Sequence, residues 1–294
     1  GQLGQAIQSI SGKYPEIDFV FCSSSDLDIT NLENCQVVFD EFQPQFCINA
    51  AAYTAVDKAE SEPAKAFDIN ANGAENLAIT CKKFNTILIH ISTDFVFDAY
   101  FSEGIAYYDR ELRLPLKSNL GLTETDVPFP SGVYGLTKLQ GEQAIQANLE
   151  KHFIIRTSWV YSQFGNNFMK TMLRLASEHE SLSVVNDQIG TPTNAVDLAD
   201  VLIKIIVSCH AELVSASNYG IYNFSNEGQC SWYDFAKEIF HQKGVSIVLK
   251  PIPTSAYPTP AKRPAYSVLD KTKIKRTFGV EIKEWQTSLA TCIN

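Results

Sequence analysis

The chain has 294 residues, of which 45% are hydrophobic and 19% charged, which is the composition of a globular protein with a large core or two modest domains. Its formal net charge of -9 argues against a nucleic-acid partner, and no apolar run is long enough to predict a membrane span. The seven cysteines form no C-x-x-C pair and the five histidines lack metal-ligand spacing, so we expect reduced thiols, no metal site and a cytoplasmic location without a signal peptide.

The first residues, 1–7, are similar to the second half of a glycine-rich strand-to-helix turn, with glycines at Gly1 and Gly4. In such a turn, backbone N–H groups at a helix N-terminus approach a pyrophosphate. An ordinary helix start is the alternative interpretation of two glycines. Because a strand normally precedes this turn, we expect the working protein to begin about ten residues earlier. That strand would lie centrally, between the strands predicted at Phe19 and Thr86.

Apolar runs that alternate with amphipathic segments follow in the first half of the chain. They predict strands at residues 19–22, 46–49, 86–91 and 153–156, and helices at residues 32–42, 63–84 and 134–149. Asp28, Thr30 and Asn31 are capping candidates for the first of these helices. Strands and helices at this spacing indicate a doubly wound, Rossmann-like parallel sheet, in which ligands bind outside the carboxyl ends of the strands.

Two groups of residues at predicted strand ends and a helix start suggest chemistry. Tyr134 and Lys138 would lie one helical turn apart, where the ammonium lowers the pKa of the phenol. A strand-end hydroxyl, Thr93 or Ser92, could hold a carbonyl oxygen beside them, which suits hydride transfer to a carbonyl. A second Y-x-x-x-K, Tyr233 to Lys237, has no such hydroxyl and is interpreted as a half-buried helix face.

The second half of the chain changes in pattern. It predicts helices at residues 167–178, 197–207 and 231–241, strands at 182–185 and 220–224, an extended segment at 247–252 and a proline-rich loop at 251–264. We therefore expect a dinucleotide-binding domain at residues 1–158, to which residues 195–225 return. Residues 159–194 and 226–294 would form a smaller, partly discontinuous α/β substrate-binding domain, with the active site between the two.

A series of short motifs runs in order along nearly the whole chain. They are NAAAYTAVDKAE at 49–60, STDFVF at 92–97, YGLTK at 134–138, RTSWVY at 156–161, GNNF at 165–168, NDQIGTPT at 186–193 and PTPAKRP at 258–264. Together they resemble the motifs of the dTDP-4-dehydrorhamnose reductases, which are extended short-chain dehydrogenase/reductases. The resemblance implies an oxidoreductase of dTDP-rhamnose biosynthesis, which supplies cell-surface polysaccharide. It would reduce dTDP-4-dehydro-L-rhamnose to dTDP-L-rhamnose with NADPH or NADH.

The resemblance also implies roles for individual residues. The catalytic set is Thr93, Tyr134 and Lys138. The cofactor contacts are Gly1, Gln2, Leu3, Gly4, Asp28, Ile29, Ala51, Ala52, Tyr53, Ser92, Tyr134 and Lys138. The substrate contacts are Thr93, Asp94, Trp159, Asn167, Gln188 and Arg263, of which Arg263 suits the substrate pyrophosphate. NADPH is favoured because no acidic residue directly follows residues 19–22 to reject a 2′-phosphate.

Other functions and several departures from the family pattern stay open at this point. The alternatives are another sugar-nucleotide epimerase or dehydratase, or a non-catalytic NADP-binding regulatory subunit of the methionine adenosyltransferase type. A homodimer is also open. Residues 98–123 are longer than the family loop and would be a lid or a neutral insertion. Residues 209–217 predict a surface excursion, and Gly132 stands where the family usually has a hydroxyl or amide.

Overall fold

The structure, a computed structural model, describes residues 1–100, 121–210 and 218–293. Its helices are α1 (Gln2–Ile10), α2 (Leu32–Phe42), α3 (Val56–Ala59), α4 (Pro63–Phe67), α5 (Gly73–Phe84), α6 (Val133–Asn148), α7 (Phe168–Glu178), α8 (Ala195–His210), α9 (Trp232–Lys243), α10 (Thr272–Phe278) and α11 (Trp285–Ile293). Its strands are β1 (Phe46–Asn49), β2 (Ile87–Thr93), β3 (His152–Thr157), β4 (Val160–Tyr161), β5 (Ser181–Val185), β6 (Ile189–Gly190), β7 (Thr193–Asn194), β8 (Gly220–Asn223), β9 (Cys230–Ser231) and β10 (Val248–Ile252). No helix of this described part is long and apolar enough to span a membrane.

The main sheet has four parallel strands in the order β1-β2-β3-β8. Its strands are apolar because helices cover both faces. Ile89, Phe153 and Ile155 pack with α1 and α8 on one face, whereas Leu88 and Ile154 pack with α2, α5 and α6 on the other. This two-sided cover confirms the predicted doubly wound, Rossmann-like α/β fold.

Two predictions about this sheet are wrong. Residues 19–22 pair with no strand of the described chain, and Val20 and Phe21 are 54% and 43% exposed. Apolar residues alone do not make a strand, because a strand needs a neighbouring backbone to satisfy its N–H and C=O groups. The space beside β2 that we assigned to a strand preceding Gly1 is taken by β1, with Phe46 opposite Ile87.

The long helix predicted at residues 63–84 is interrupted by a π-helical turn. Residues 68–72 form this turn between α4 and α5. It directs the buried Asn70 inward, where its side chain bonds the backbone N–H and C=O of Tyr53 and the hydroxyl of Thr137 on α6. The extra residue of such a turn leaves the apolar pattern almost unchanged, so the sequence gave no sign of it.

A second hydrophobic cluster forms beyond the main sheet. It joins α7, α9 and α11 around Tyr161, Phe235 and Trp285, all buried. Beside it, β5 pairs in parallel with β10, so the segment predicted as extended at 247–252 forms a strand. The polypeptide returns to the main sheet through β8, which pairs with β3. The division into two domains at the predicted boundaries stays a prediction.

The two predicted insertions fall mostly outside the described residues. Residues 101–120, which contain most of the predicted lid or insertion, belong to that part, and so do residues 211–217. The excursion predicted to begin at Cys209 is wrong for its first two residues, because α8 continues to His210. Cys209 is retained in the helix because its side chain packs against the first hydrophobic cluster.

Candidate active site

The carboxyl end of β2 brings Thr93 to the start of α6. The Thr93 side chain is 5% exposed and hydrogen-bonds the hydroxyl of Tyr134. Thr93 Oγ1 also lies 3.1 Å from Asp94 Oδ1 and accepts the backbone N–H of Phe95 at 3.2 Å. Of the two hydroxyls predicted to stand beside the tyrosine, it is therefore Thr93 that meets it.

Tyr134 lies in the first turn of α6 with its ring edge against Phe95, at a centroid distance of 5.5 Å. Burial raises the pKa of Tyr134 to about 12, although the Thr93 hydrogen bond lowers it, and the charge of Asp94 raises it further. The phenol is thus protonated at neutral pH. The prediction that a neighbouring ammonium lowers this pKa is wrong for this arrangement, because the amine of Lys138 is directed elsewhere.

The Lys138 side chain is 1% exposed and turns toward β2. Its Nζ donates to the carbonyl oxygen of Ile91 at 2.7 Å and lies 3.1 Å from Nε2 of His90. Burial lowers the pKa of Lys138 to about 8, while the charge of Glu142 raises it. This amine is therefore close to its titration point near neutral pH.

His90 and Asn49 are buried polar residues that the sequence analysis did not assign to the site. Nδ1 of His90 lies 3.0 Å from the side-chain amide nitrogen of Asn49 at the end of β1. The signal was present as one polar residue inside the apolar run of residues 86–91. It was missed because the histidines were interpreted as surface or packing residues.

Ser92 belongs to a buried ion-pair network and not to the predicted cofactor contacts. Its hydroxyl donates to Glu142 Oε1 at 2.5 Å, and Glu142 forms a 2.6 Å salt bridge with Arg156 on β3. Side chains on β2 alternate between the two faces of the sheet, so Ser92 and Thr93 cannot both face the same partner. The prediction that Ser92 contacts the cofactor through its hydroxyl is wrong for this reason.

The glycines at the start of α1 leave open space around a helix N-terminus. Gly1 is the N-cap residue without a side-chain cap bond, and a Cβ on Gly1 or Gly4 would meet nothing within 4 Å. Free backbone N–H groups in open space suit a pyrophosphate. Leu3 is buried in the first hydrophobic cluster, so only its backbone can take part. Gln2 donates to the carbonyl oxygen of Val160 at 3.1 Å.

The remaining predicted cofactor residues lie at the ends of β1 and in the loop before α2. Asp28 accepts bonds from Thr30, and Ile29 is buried. After β1, Ala51 is exposed and Ala52 half-buried, which leaves a flat surface beside the end of β2. Tyr53 is buried, and its hydroxyl donates to Glu62 at 2.7 Å.

Gln188 and Arg263, both predicted substrate contacts, line one cavity of about 340 Å³. Gln188 Nε2 donates to the hydroxyl of Thr254 at 2.9 Å. The Arg263 guanidinium forms a 2.8 Å salt bridge with Asp57 and donates to the carbonyl oxygen of Ala261. The structure therefore brings these two residues together, with a cation at the wall of the cavity.

Trp159 has a backbone conformation that is unusual for a large side chain, with φ 46. Its ring stacks on Trp232 at 3.6 Å between centroids, and a Cβ on Gly190 would lie 2.6 Å from the ring. Strain of this kind collects at functional sites. The sequence could not reveal it, because tryptophan has no preference for positive φ.

Asn167 is the N-cap of α7, where its side chain accepts the N–H of Lys170 and donates to the carbonyl oxygen of Ser162. Its amide nitrogen also lies 3.4 Å from Gln2 Oε1. A predicted substrate residue and a predicted cofactor residue are thus adjacent. The capping bonds already use the side chain, so substrate contact by Asn167 stays a prediction.

Comparisons with known proteins place this geometry in context. The model of a family described as the RmlD substrate binding domain matches residues 1–294. A dTDP-4-dehydrorhamnose reductase of Aggregatibacter actinomycetemcomitans is 41% identical over 98% of this chain and 94% of that protein. The crystal structure of a dTDP-4-dehydrorhamnose reductase from Clostridium acetobutylicum superimposes with a TM-score of 0.87 at 40% identity, covering 100% of this chain and 95% of that one. That of a Bacillus anthracis dTDP-4-dehydrorhamnose reductase in complex with NADP gives 0.86 at 38% identity, over 99% and 95%.

Proposed function

Because this chain belongs to the dTDP-4-dehydrorhamnose reductase family, we propose that it reduces dTDP-4-dehydro-L-rhamnose to dTDP-L-rhamnose with NADPH. The observation that carries the proposal is the hydrogen bond between Thr93 and Tyr134 at the carboxyl end of β2, with Lys138 one turn further along α6. A carbonyl oxygen placed against both hydroxyls would meet one proton donor and one orienting group. No observation favours an epimerase, a dehydratase or a regulatory subunit over this reaction.

The residues of this chain fit a dinucleotide cofactor at the same edge of the sheet. The open N-terminus of α1 at Gly1 and Gly4 would hold the pyrophosphate, and the small residues Ala51 and Ala52 would lie against the nicotinamide-side ribose. When bound, reduced nicotinamide supplies the hydride that adds to C4 of the sugar. The Bacillus anthracis relative in complex with NADP supports NADPH as the cofactor.

The side chains would divide the remaining work of the reduction. Tyr134, protonated at neutral pH, donates its proton to the oxygen at C4 as that oxygen gains charge. Thr93 orients the same oxygen. Lys138 supports the tyrosine from the next turn of α6 and, as in the family, would bond the cofactor ribose. Each role depends on groups already fixed by β2 and α6.

The nucleotide-sugar substrate would extend from Thr93 toward the cavity of Gln188 and Arg263. Arg263 offers a planar fork of donors, which matches the oxygens of a pyrophosphate. We propose that residues 1–158, with 195–225, bind the cofactor, and that residues 159–194 and 226–294 bind this substrate. The possible homodimer stays a prediction.

A coupled assay tests the proposal. The purified chain is supplied with NADPH and dTDP-4-dehydro-L-rhamnose, NADPH oxidation is followed by absorbance, and the product is identified by NMR. We expect dTDP-L-rhamnose, with one NADPH consumed per sugar. Release of a C4 epimer, a dehydrated sugar, or no product while NADPH still binds would contradict the proposed reduction.

A further inference from the structure

Asn49, His90 and Lys138 form a continuous buried chain beneath the site. Their side chains are 4%, 1% and 1% exposed. The Asn49 amide nitrogen lies 3.0 Å from His90 Nδ1, and His90 Nε2 lies 3.1 Å from Lys138 Nζ. Groups buried to this degree keep their hydrogen bonds, since an unsatisfied one costs on the order of 1–3 kcal/mol. The direction of each bond in the chain is therefore constrained.

The backbone fixes the orientation of the Asn49 amide. The N–H of Ala51 donates to Asn49 Oδ1 at 3.1 Å, and because a backbone N–H can only donate, the atom that faces it must be the oxygen. The amide nitrogen then faces His90 Nδ1 and donates to it. Nδ1 is thus an acceptor, and the single proton of the neutral imidazole lies on Nε2.

This tautomer directs a donor at the amine of Lys138. An ammonium has three donors and no acceptor, so a protonated Lys138 would set donor against donor across the 3.1 Å contact with His90 Nε2. A neutral amine has a lone pair for that N–H and can still donate to the carbonyl oxygen of Ile91 at 2.7 Å. Every bond in the chain is satisfied only when Lys138 is neutral.

The other charged and titratable groups around the chain agree with this assignment. They come from α6, β2, β3 and the turn after β2: Tyr134, Glu142, His152, Arg156 and Asp94. Glu142 would favour an ammonium, but Arg156 pairs with it at 2.6 Å. Burial holds the pKa of His90 well below its usual value and lowers that of Lys138 to about 8.

We propose that His90, held in its Nε2–H tautomer by Asn49, is a positioning residue that keeps Lys138 neutral while Tyr134 is a proton donor. The inference rests on the proposed reduction, because its value lies in the form of Tyr134 that the reduction needs. An ammonium beside the phenol would stabilise the phenolate, whereas a neutral amine leaves the proton on Tyr134. Asn49 thereby links the loop at the end of β1 to the catalytic helix.

Nitrogen NMR of the protein labelled in its five histidines tests the tautomer without any turnover. The His90 signals are assigned by their loss in H90Q. We expect His90 to be neutral with its proton on Nε2 from about pH 6 to 9. An Nδ1–H tautomer or a doubly protonated ring in the wild-type protein would overturn the proposal, whether or not the enzyme reduces the predicted sugar.

The variant N49D tests the coupling to Lys138. Aspartate accepts from both Ala51 N–H and the imidazole, so the His90 proton should move to Nδ1 and leave Nε2 to accept from an ammonium. We expect the inflection near pH 8 in kcat/KM to move upward by about one pH unit. The control N85D adds the same charge at the exposed Asn85 and should leave the inflection in place.

H90Q provides a second kinetic variant if N49D fails to fold. Glutamine can present an amide oxygen to Lys138, so its pH profile should also move upward. Circular dichroism and NADPH binding check that each variant is folded. If folded N49D or H90Q keeps the wild-type pH profile, His90 does not set the charge of Lys138, and the proposal fails even with an active wild-type reductase.

Discussion

The contact between Tyr134 and Thr93 combines opposite effects on one proton. Burial raises the pKa of the phenol to about 12, and the Thr93 hydrogen bond lowers it. The result favours a phenol that keeps its proton until charge develops on a nearby oxygen, which is the behaviour of a general acid. The sequence identified both residues correctly as neighbours, but it could not predict the sign of the pKa shift, which depends on burial and on where the Lys138 amine points.

Replacement of Tyr134 by phenylalanine removes the proton donor and little else. We expect Y134F to lower kcat by about 10²- to 10⁴-fold, because this is the usual contribution of a positioned general acid. The Kd for NADPH, measured by fluorescence titration, should change little. Y233F is the matched control, since Tyr233 begins the second Y-x-x-x-K of the chain on α9. Y134F turnover close to that of Y233F would show that the proton comes from another group.

The ion pair of Glu142 and Arg156 is the most deeply buried charge pair of the described residues, with side chains 1% and 2% exposed. Glu142 lies on the same stripe of α6 as Tyr134 and Lys138, at successive four-residue steps. The pair thus joins the catalytic helix to β3 beneath the site. Such a pair costs desolvation energy when formed, but the loss of one partner leaves the other charge buried and unpaired.

A double-mutant cycle measures this coupling. We expect E142Q and R156M each to lower the free energy of unfolding by about 3–5 kcal/mol in urea titrations. The double variant E142L/R156M, which buries no charge, should lose much less than the sum of the two single variants. Additive losses would mean that the two side chains stabilise the protein independently.

At the scale of the element, the start of α6 is capped from another part of the chain. Gly132 is the N-cap residue and supplies no side chain, but the Glu60 carboxylate accepts the N–H of Val133 at 2.9 Å. A Cβ on Gly132 would lie 2.9 Å from that carboxylate oxygen. The glycine that departs from the family pattern therefore leaves room for an acceptor that enters from the segment before α4, one residue from Tyr134.

Removal of this cap should loosen the first turn of α6. We expect E60A to lower the free energy of unfolding by about 1 kcal/mol and also to reduce kcat, whereas E60Q, which keeps an acceptor oxygen, loses less of both. N31A is the control, because Asn31 caps α2 away from Tyr134 and should cost similar stability without loss of kcat. Equal kcat values for E60A and N31A would restrict Glu60 to a structural role.

The elements that sequence patterns predicted well are those whose partners are local or repeated. The bounds of α2 and β1 were predicted correctly, because Asn31 caps α2 and the apolar run of β1 is short and sharply limited. Residues 19–22 have the same apolar character but lie along no strand of the described chain. The π-helical turn around Asn70 and the positive φ of Trp159 depend on contacts distant in sequence, which periodicity cannot express.

At the scale of the whole molecule, the predicted site lies where two hydrophobic clusters meet. One cluster contains the sheet and α8, and the other contains α7, α9 and α11. Asp57, from the loop after β1, reaches across to the proline-rich loop: it accepts the N–H of Ala261 at 3.2 Å and pairs with Arg263. The sequence predicted both segments as ligand contacts but could not show that they touch, since more than 200 residues separate Asp57 from Arg263.

Arg263 therefore has two competing uses, as a partner of Asp57 and as a ligand for the substrate pyrophosphate. Its side chain is 22% exposed and its Nη2 donates to Asp57 at 2.8 Å, so part of the guanidinium remains accessible from the cavity. A hydrogen bond to a charged group contributes about 1.5–3 kcal/mol, which corresponds to about 10- to 100-fold in affinity. R263M should therefore raise the Kd for dTDP, measured by calorimetry, by about that factor, and raise KM for the sugar nucleotide in parallel with little change in NADPH affinity. K262M removes the adjacent cation from the wall of the same cavity, and because Lys262 is exposed and forms no ion pair with Asp57 we expect a change below about threefold. A larger effect of K262M than of R263M would assign pyrophosphate recognition to the lysine and leave Arg263 as a link between the two clusters.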